Sequence, residues 1–253
     1  MPLSGRMIDA AENPWVAGLD GCPGGWIAVF VRLTGEDGAV LVCRRFVDVL
    51  AAPQAPAIVA VDIPIGLPDW AGHGGRAAEN AVRPLLGQRQ SSVFSVPSRT
   101  AIYAQSYAAA CRAALATSEP PRSVSKQLFN IAPKIREVDE TLRADAALAA
   151  RIFEVHPELA FWRFNGERPL IEPKKIRSRL YEPGLHLRRR LLATTGLPSV
   201  VANAPPPKGA AADDLLDALA CAAIARRIHA GKAQSFPAPP PRDRHGLPMA
   251  IWA

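Results

Sequence analysis

Short apolar runs, broken by Gly, Pro and charged stretches, set the reading of this chain. Residues 15–19 (WVAGL) and 26–33 (WIAVFVRL) flank Asp20 and the turn GCPGG, which predicts two strands joined by a tight reversal. GEDG at 35–38 is a further turn signal, and 40–46 alternates as a third strand, completing an antiparallel meander. One helical turn fits 47–52. The β-branched run 57–63 reads as a buried strand parallel to the first after a crossover, stopped by Pro64 because proline cannot donate to a ladder. Beyond it the pattern changes to helices. One covers 77–86, followed by a loop over 87–99. Thr100 caps an Ala-rich helix reaching 117, and Ser125 caps another over 126–142, kinked by Pro133, with a fragment at 145–150. Residues 69–150 therefore form a helical insertion. A strand returns at 151–155, and a helix at 157–164 opens on Pro157. Residues 173–192 are helical in pattern, broken near Glu182-Pro183-Gly184. The clearest helix is 213–230: an acidic start, an Ala/Leu/Ile body, then Arg226, Arg227, His229 and Gly231, in the order that suits the helix dipole and its C-cap. Residues 236–241 are extended, and GLPMAIW adds a short edge strand or packs down. Residues 1–13 read as a polar, irregular leader.

The prediction is a single α/β domain: a mixed five-stranded sheet flanked by helices, with its core at about 14–66 and 151–253 and a helical insertion after the fourth strand. Composition agrees, since 49% hydrophobic and 21% charged residues are the proportions of a soluble globular protein. Only 6% is aromatic, so the core rests on Val, Ile, Leu and Ala, and Ala-rich faces imply close helix packing. A net charge of +7 and a pI of about 9.6 suit an anionic partner such as nucleic acid or a phosphorylated metabolite. Cys22, Cys43, Cys111 and Cys221 are scattered, without zinc spacing, as expected of reduced thiols. The start lacks the apolar segment of a signal peptide, and no apolar run reaches the ~18 residues a membrane span needs. The expected compartment is the cytoplasm, with no membrane partner.

Acids then stand out by position. Asp20 ends the first strand, Asp62 the fourth and Glu154 the fifth, while Asp213, Asp214 and Asp217 open the last helix. Asp20 and Asp62, on adjacent parallel strands, fall about 5 Å apart in the pairing direction. Asp214 and Asp217 are i,i+3 and share a helix face, with Asp213 pointing away or capping. Carboxylates crowded together repel unless a cation sits among them, and metal-dependent phosphoryl transfer uses this arrangement. The plain alternative is that each is an ordinary turn or N-cap acid. It serves Asp20 and Asp213 better than Asp62, which apolar residues flank, or Asp217, a turn inside its helix. Glu154 and His156 alternate onto one face if their segment is a strand, pairing a metal ligand with a proton carrier.

The motifs GLDGCPGGW, VDIPIGLP, LGQRQSSVFSVPSR, SKQLFNIAPKIREVD, FEVHPELAFW, the Lys174-Lys175 step and DDLLDALA occur here in one order. In this the chain resembles, from Trp15 to Ile251, the family numbered 429 among domains of unknown function, regarded as predicted nucleases with an RNase H-like fold. The resemblance implies an RNase H-like sheet and a last helix similar to that of RuvC-type resolvases. By position it implies Asp20, Asp62, Asp214 and Asp217 as ligands of Mg²⁺ or Mn²⁺, with Glu154 a further catalytic candidate. One departure is visible: the family's Arg-x-Cys-Asp-x-x-x-Arg step reads Arg76 to Arg83 here, with Ala78 and Glu79 in place of Cys and Asp.

The expected function is metal-dependent hydrolysis of nucleic acid, DNA or RNA. For the phosphate backbone the chain offers Arg89, Ser91, Ser92 and Arg99 in the loop, with Lys126, Lys134, Lys174 and Lys175 beside it. The run 186–190 reads as a solvated helix face. Two other classes stay open. The glycines of Gly21 to Gly25 could cradle a phosphate, as in an acetate- or sugar-kinase-like ATPase, although no P-loop is present. Alternatively, the chain is a binding scaffold without catalysis.

Overall fold

The computed structural model describes residues 13–253, so the predicted leader, Asn13 apart, lies outside the described residues. The elements are β1 (Trp15–Cys22), β2 (Gly25–Arg32), β3 (Gly38–Cys43), α1 (Phe46–Leu50) and β4 (Ile58–Val61), followed by α2 (Ala77–Val82), α3 (Arg99–Ile102), α4 (Tyr107–Ala116) and α5 (Lys126–Ala144). Then come β5 (Ile152–Glu154), α6 (Pro157–Phe164), β6 (Lys175–Ile176), β7 (Arg179–Leu180), α7 (Glu182–Ala193), α8 (Ser199–Ala202), α9 (Ala212–His229), β8 (Ser235–Phe236) and β9 (Ile251–Trp252). The main sheet has the order β3-β2-β1-β4-β5; β2 is antiparallel to both its neighbours, and β4 is parallel to β1 and β5. This is the predicted mixed five-stranded sheet flanked by helices, with α2 to α5 between β4 and β5.

Alternation along the strands divides the core in two. Val16, Ile27, Val29, Val31 and Ala60 belong to the core half that includes α2, α6, α7 and α9, whereas Ala17, Leu19, Trp26, Phe30, Val59 and Val61 belong to the half with α3, α4 and α5. α9 lies unusually close to the sheet. A Cβ on Gly18 would come within 1.9 Å of the Ala222 nitrogen and 2.3 Å of the Ala218 oxygen. Glycine in β1 and alanines on α9 together allow this approach, which is where the alanine-rich composition acts.

Several local expectations are corrected. Ser98, not Thr100, caps α3, its hydroxyl accepting from the Ala101 N–H. The predicted Ala-rich helix is broken in two, because Ser106 caps a second start and takes the Ala109 N–H. The α-form of 77–86 ends at Val82 and tightens into 3-10 turns over Arg83–Ser92, where Pro84 has no N–H to give and Gly87 adopts φ +51°. Residues 173–181 are not helical: β6 and β7 form a hairpin whose turn places Arg177 and Ser178 at positive φ. Glu182-Pro183-Gly184 starts α7 instead of breaking it, since proline fits a helix's first turn. Ser125 caps α5 as expected, with Pro133 inside it. β8 and β9 pair, and an isolated bridge joins Trp252 to Val155 beyond β5. Among the described residues no helix is long and apolar enough to cross a membrane.

Candidate metal centre

Three carboxylates converge at the end of the sheet where β1 and β4 finish. Leu19 pairs with Val61, so the next residues, Asp20 and Asp62, stand side by side; the Asp62 N–H also donates to the Leu19 carbonyl at 3.0 Å. By the two-residue period both leave the face that carries Val16, Gly18 and Ala60, which is the α9 face. Asp217 precedes Ala218, the residue whose carbonyl lies against Gly18, so the close approach of α9 delivers its carboxylate to the other two. One oxygen from each of Asp20, Asp62 and Asp217 lies within 4.8 Å of the others, a spacing able to hold a metal ion.

The electrostatics are unfavourable without a cation. Burial, then Asp62 and Asp217, push the Asp20 carboxyl well above its ordinary value, with Lys174 opposing. Burial raises Asp62 to about 7 against Lys174, and Asp217 to about 6 against the same lysine. Lys174 is the shared counter-charge: its Nζ pairs with Asp217. Burial alone would depress its pKa, but Asp217 and Asp20 outweigh burial and raise it.

Asp214 is not in this group. Its carboxylate turns back to accept the Ala211 N–H at 2.8 Å, closing the first turn of α9. The i,i+3 pairing of Asp214 with Asp217 therefore fails, and Asp213 is not the capping acid; it is buried and pairs with Lys175 at 2.5 Å. Asp214 remains near enough to add to the charge felt by Asp20.

Glu154 lines the same cavity as Asp20 and Asp62 but is held by other partners. It pairs with Val61, on the strand face that meets α5. There Arg76 grips both its oxygens, at 2.6 and 3.0 Å, and the Ile65 N–H donates at 2.8 Å. The same guanidinium binds Glu79 at 2.6 Å, so Glu79 occupies the acidic position of the Arg76–Arg83 step with a carboxylate after all, and Ala78 is buried beside it. His156 is better placed. It borders the cavities that Asp62 lines, its Nε2 is 3.3 Å from the Ser92 carbonyl, and its Nδ1 is buried without a partner. Burial holds its pKa below the ordinary value.

The basic residues separate in the same way. Arg99 is buried, pairing with Asp139 and with Asp243 at 2.7 Å, so it is structural and not an open phosphate contact. Lys126 lies 4.5 Å from the Tyr107 ring centre. Lys134 packs its chain over Gly21 and its Nζ against the Gly25 carbonyl and the Trp26 ring, at the rim of the acidic cavity. Arg89, Ser91, Ser92, Lys174 and Lys175 do share a recess of about 180 Å³. The run 186–190 is not wholly solvated, because Arg188 is completely buried and pairs with Glu158 at 2.5 Å. Nothing in the local pattern distinguishes Arg188 from its neighbours Arg189 and Arg190. The turn from Gly21 to Gly25 is a two-residue reversal in which Cys22 pairs with Gly25, and the Gly24 N–H donates to the Gly209 carbonyl at 2.8 Å. That amide is not available to a phosphate.

Comparison with known families gives one match. The model of a family described as "Protein of unknown function (DUF429)" covers residues 18–242, and the chain belongs to that family. No curated protein and no solved structure matches the chain.

Proposed function

We propose that this protein is a metal-dependent phosphodiesterase of RNase H-like design acting on nucleic acid. The observation that carries the reading is the convergence of Asp20, Asp62 and Asp217 within 4.8 Å at one end of the sheet, beside a cavity of about 200 Å³. Three raised carboxyl pKa values around one lysine make a group whose ionised form calls for more positive charge than Lys174 supplies. The donors are all hard carboxylate oxygens, which fits Mg²⁺ or Mn²⁺ and not a thiophilic ion. A divalent ion bound there supplies Lewis acidity toward a phosphoryl oxygen and lowers the pKa of a bound water.

The chain's own residues prepare that site. Asp20 and Asp62, fixed by strand register, and Asp217, fixed by the Gly18–α9 contact, would hold the ion. Lys174 keeps Asp217 oriented and lies at the border with the recess of Arg89, Ser91 and Ser92, where a substrate phosphate would be met. His156, with one ring nitrogen unpartnered beside Asp62, is the group in reach for moving a proton. Asp214 shapes the field and caps the helix without binding the ion.

The test is hydrolysis of labelled single-stranded, duplex, hybrid and branched substrates with Mn²⁺, comparing the wild-type chain with Asp20→Asn. Cleavage that disappears in the variant is the expected result. If no substrate is cut in an Asp20-dependent manner, the nuclease reading is wrong.

A further inference from the structure

A second polar groove, of about 900 Å³, lies against the acidic cavity and no carboxylate lines it. Arg83 is set into it by neutral partners: the Asn80 side-chain oxygen at 3.1 Å, the Val93 carbonyl at 3.3 Å and the Ser95 hydroxyl at 3.0 Å. Its guanidinium is thereby fixed in direction but not neutralised. Arg122 reaches the same groove from the segment before α5 and is exposed. Among the described residues no carboxylate forms an ion pair with either arginine, whereas each of the buried arginines, Arg76, Arg99 and Arg188, has one. Burial pulls Arg83 below its ordinary pKa; Glu79 opposes this and Arg122 adds to it, as expected of two cations that share a space. Ser123 and Ser125 complete that wall, and Ser125 caps the 19-residue α5, whose positive end therefore borders the groove.

The groove is continuous with the metal centre's surroundings. Phe94 lines it and also the two cavities that hold Asp62 and His156, and Ser91 borders both the groove and the Lys174 recess. A positive channel with an aromatic face at its border is the arrangement that binds single strands, through phosphate contacts and a stacked base.

We propose that the Arg83–Arg122 groove binds the phosphate backbone of a single-stranded nucleic acid segment flanking the bond cut at the acidic centre, with Phe94 stacking a base between them. This deepens the nuclease reading and rests on it. Binding is measured by fluorescence anisotropy with a labelled oligothymidylate and a duplex of equal length, in EDTA so that neither metal nor cleavage contributes. Arg122→Glu and Phe94→Leu are compared with Lys232→Glu, the same charge reversal beyond the C-terminal end of α9. Expected are single-strand binding tighter than duplex binding, about tenfold weakening and a salt slope reduced by about 1 for Arg122→Glu, about fivefold weakening for Phe94→Leu, and little change for Lys232→Glu. Equal affinity of wild type and Arg122→Glu, equal affinity for duplex, or no binding of either oligonucleotide overturns the proposal. The cleavage assay is scored separately. Asp20-dependent cleavage with strand binding indifferent to Arg122 removes the groove and leaves the nuclease; Arg122-dependent strand binding without cleavage of any substrate leaves the groove and removes the nuclease.

Discussion

Glu154 and Asp62 leave neighbouring parallel strands one residue apart in register, yet they meet opposite surroundings. Glu154 accepts three N–H bonds, two of them from Arg76. Among the described residues none donates a hydrogen bond to the Asp62 carboxylate; burial and Glu158 oppose its charge, and it is helped by a lysine that pairs with Asp217. A similar contrast separates Asp139 and Asp243, joined by Arg99, from Asp20 and Asp217. Where a buried carboxylate holds the fold together, an arginine pairs with it directly. Where three are gathered around one lysine, the structure retains an unbalanced charge, which is costly to the bare fold and is the property a cation site requires.

The contrast gives its largest expected effect on activity. Asp20→Asn or Asp62→Asn should lower Mn²⁺-dependent cleavage at least about 100-fold and abolish Mn²⁺ binding by calorimetry, while raising the melting temperature of the metal-free protein. A melting temperature that falls would mean these acids stabilise the fold. Next in size is Arg76→Met, which strands Glu79 and Glu154 and should destabilise the protein by about 3–5 kcal/mol in denaturant unfolding. Glu154→Gln should cleave at close to the wild-type rate per folded molecule. Folded yet inactive Glu154→Gln protein would return Glu154 to the metal centre.

Gly18→Ala follows. Its Cβ cannot fit against the Ala222 nitrogen and Ala218 carbonyl, so α9 must retreat, at about 1–3 kcal/mol or more. Because Asp217 rides on α9, Mn²⁺ affinity should weaken as well; unchanged affinity would show that Asp217 does not bind the ion. The smallest effect is on pH dependence. Asp62 and Asp217, raised to about 7 and about 6, bind more protons folded than unfolded between pH 4 and 7. Metal-free stability should therefore be highest near pH 4 on their account and fall as pH rises through about 7. Burial raises Glu154 too, adding a slope of the same sign. Saturating Mn²⁺ should remove the aspartate part of the slope and leave the part that Glu154→Gln removes. Melting curves at several pH values, with EDTA or Mn²⁺, separate the two.

Much of the site was legible because it depends on local period. Asp20 and Asp62 each follow an apolar strand, and counting by two places them on one face of adjacent strands. Asp217 stands a turn inside the helix, where capping does not account for it. The same counting placed Glu154 with His156, and both border the cavity of Asp20 and Asp62; what it could not supply is Arg76, which holds the Glu154 carboxylate. Asp213 and Asp214 both suit a helix start, and only their neighbours decide what each meets: Lys175 for Asp213 and the Ala211 N–H for Asp214.

The sequence by itself determined the five strands of the main sheet, the last helix, the two strand-end acids and the capped start of α5, since turn residues, apolar alternation and a serine hydroxyl act within a few positions of where they stand. Tertiary structure alone decided what each buried charge meets. Arg76 reaches Glu154 across 78 residues, and Arg99 reaches Asp139 and Asp243 across 40 and 144. A carboxylate's partner is set by distance through space and by the desolvation shared there, and neither has a period along the chain.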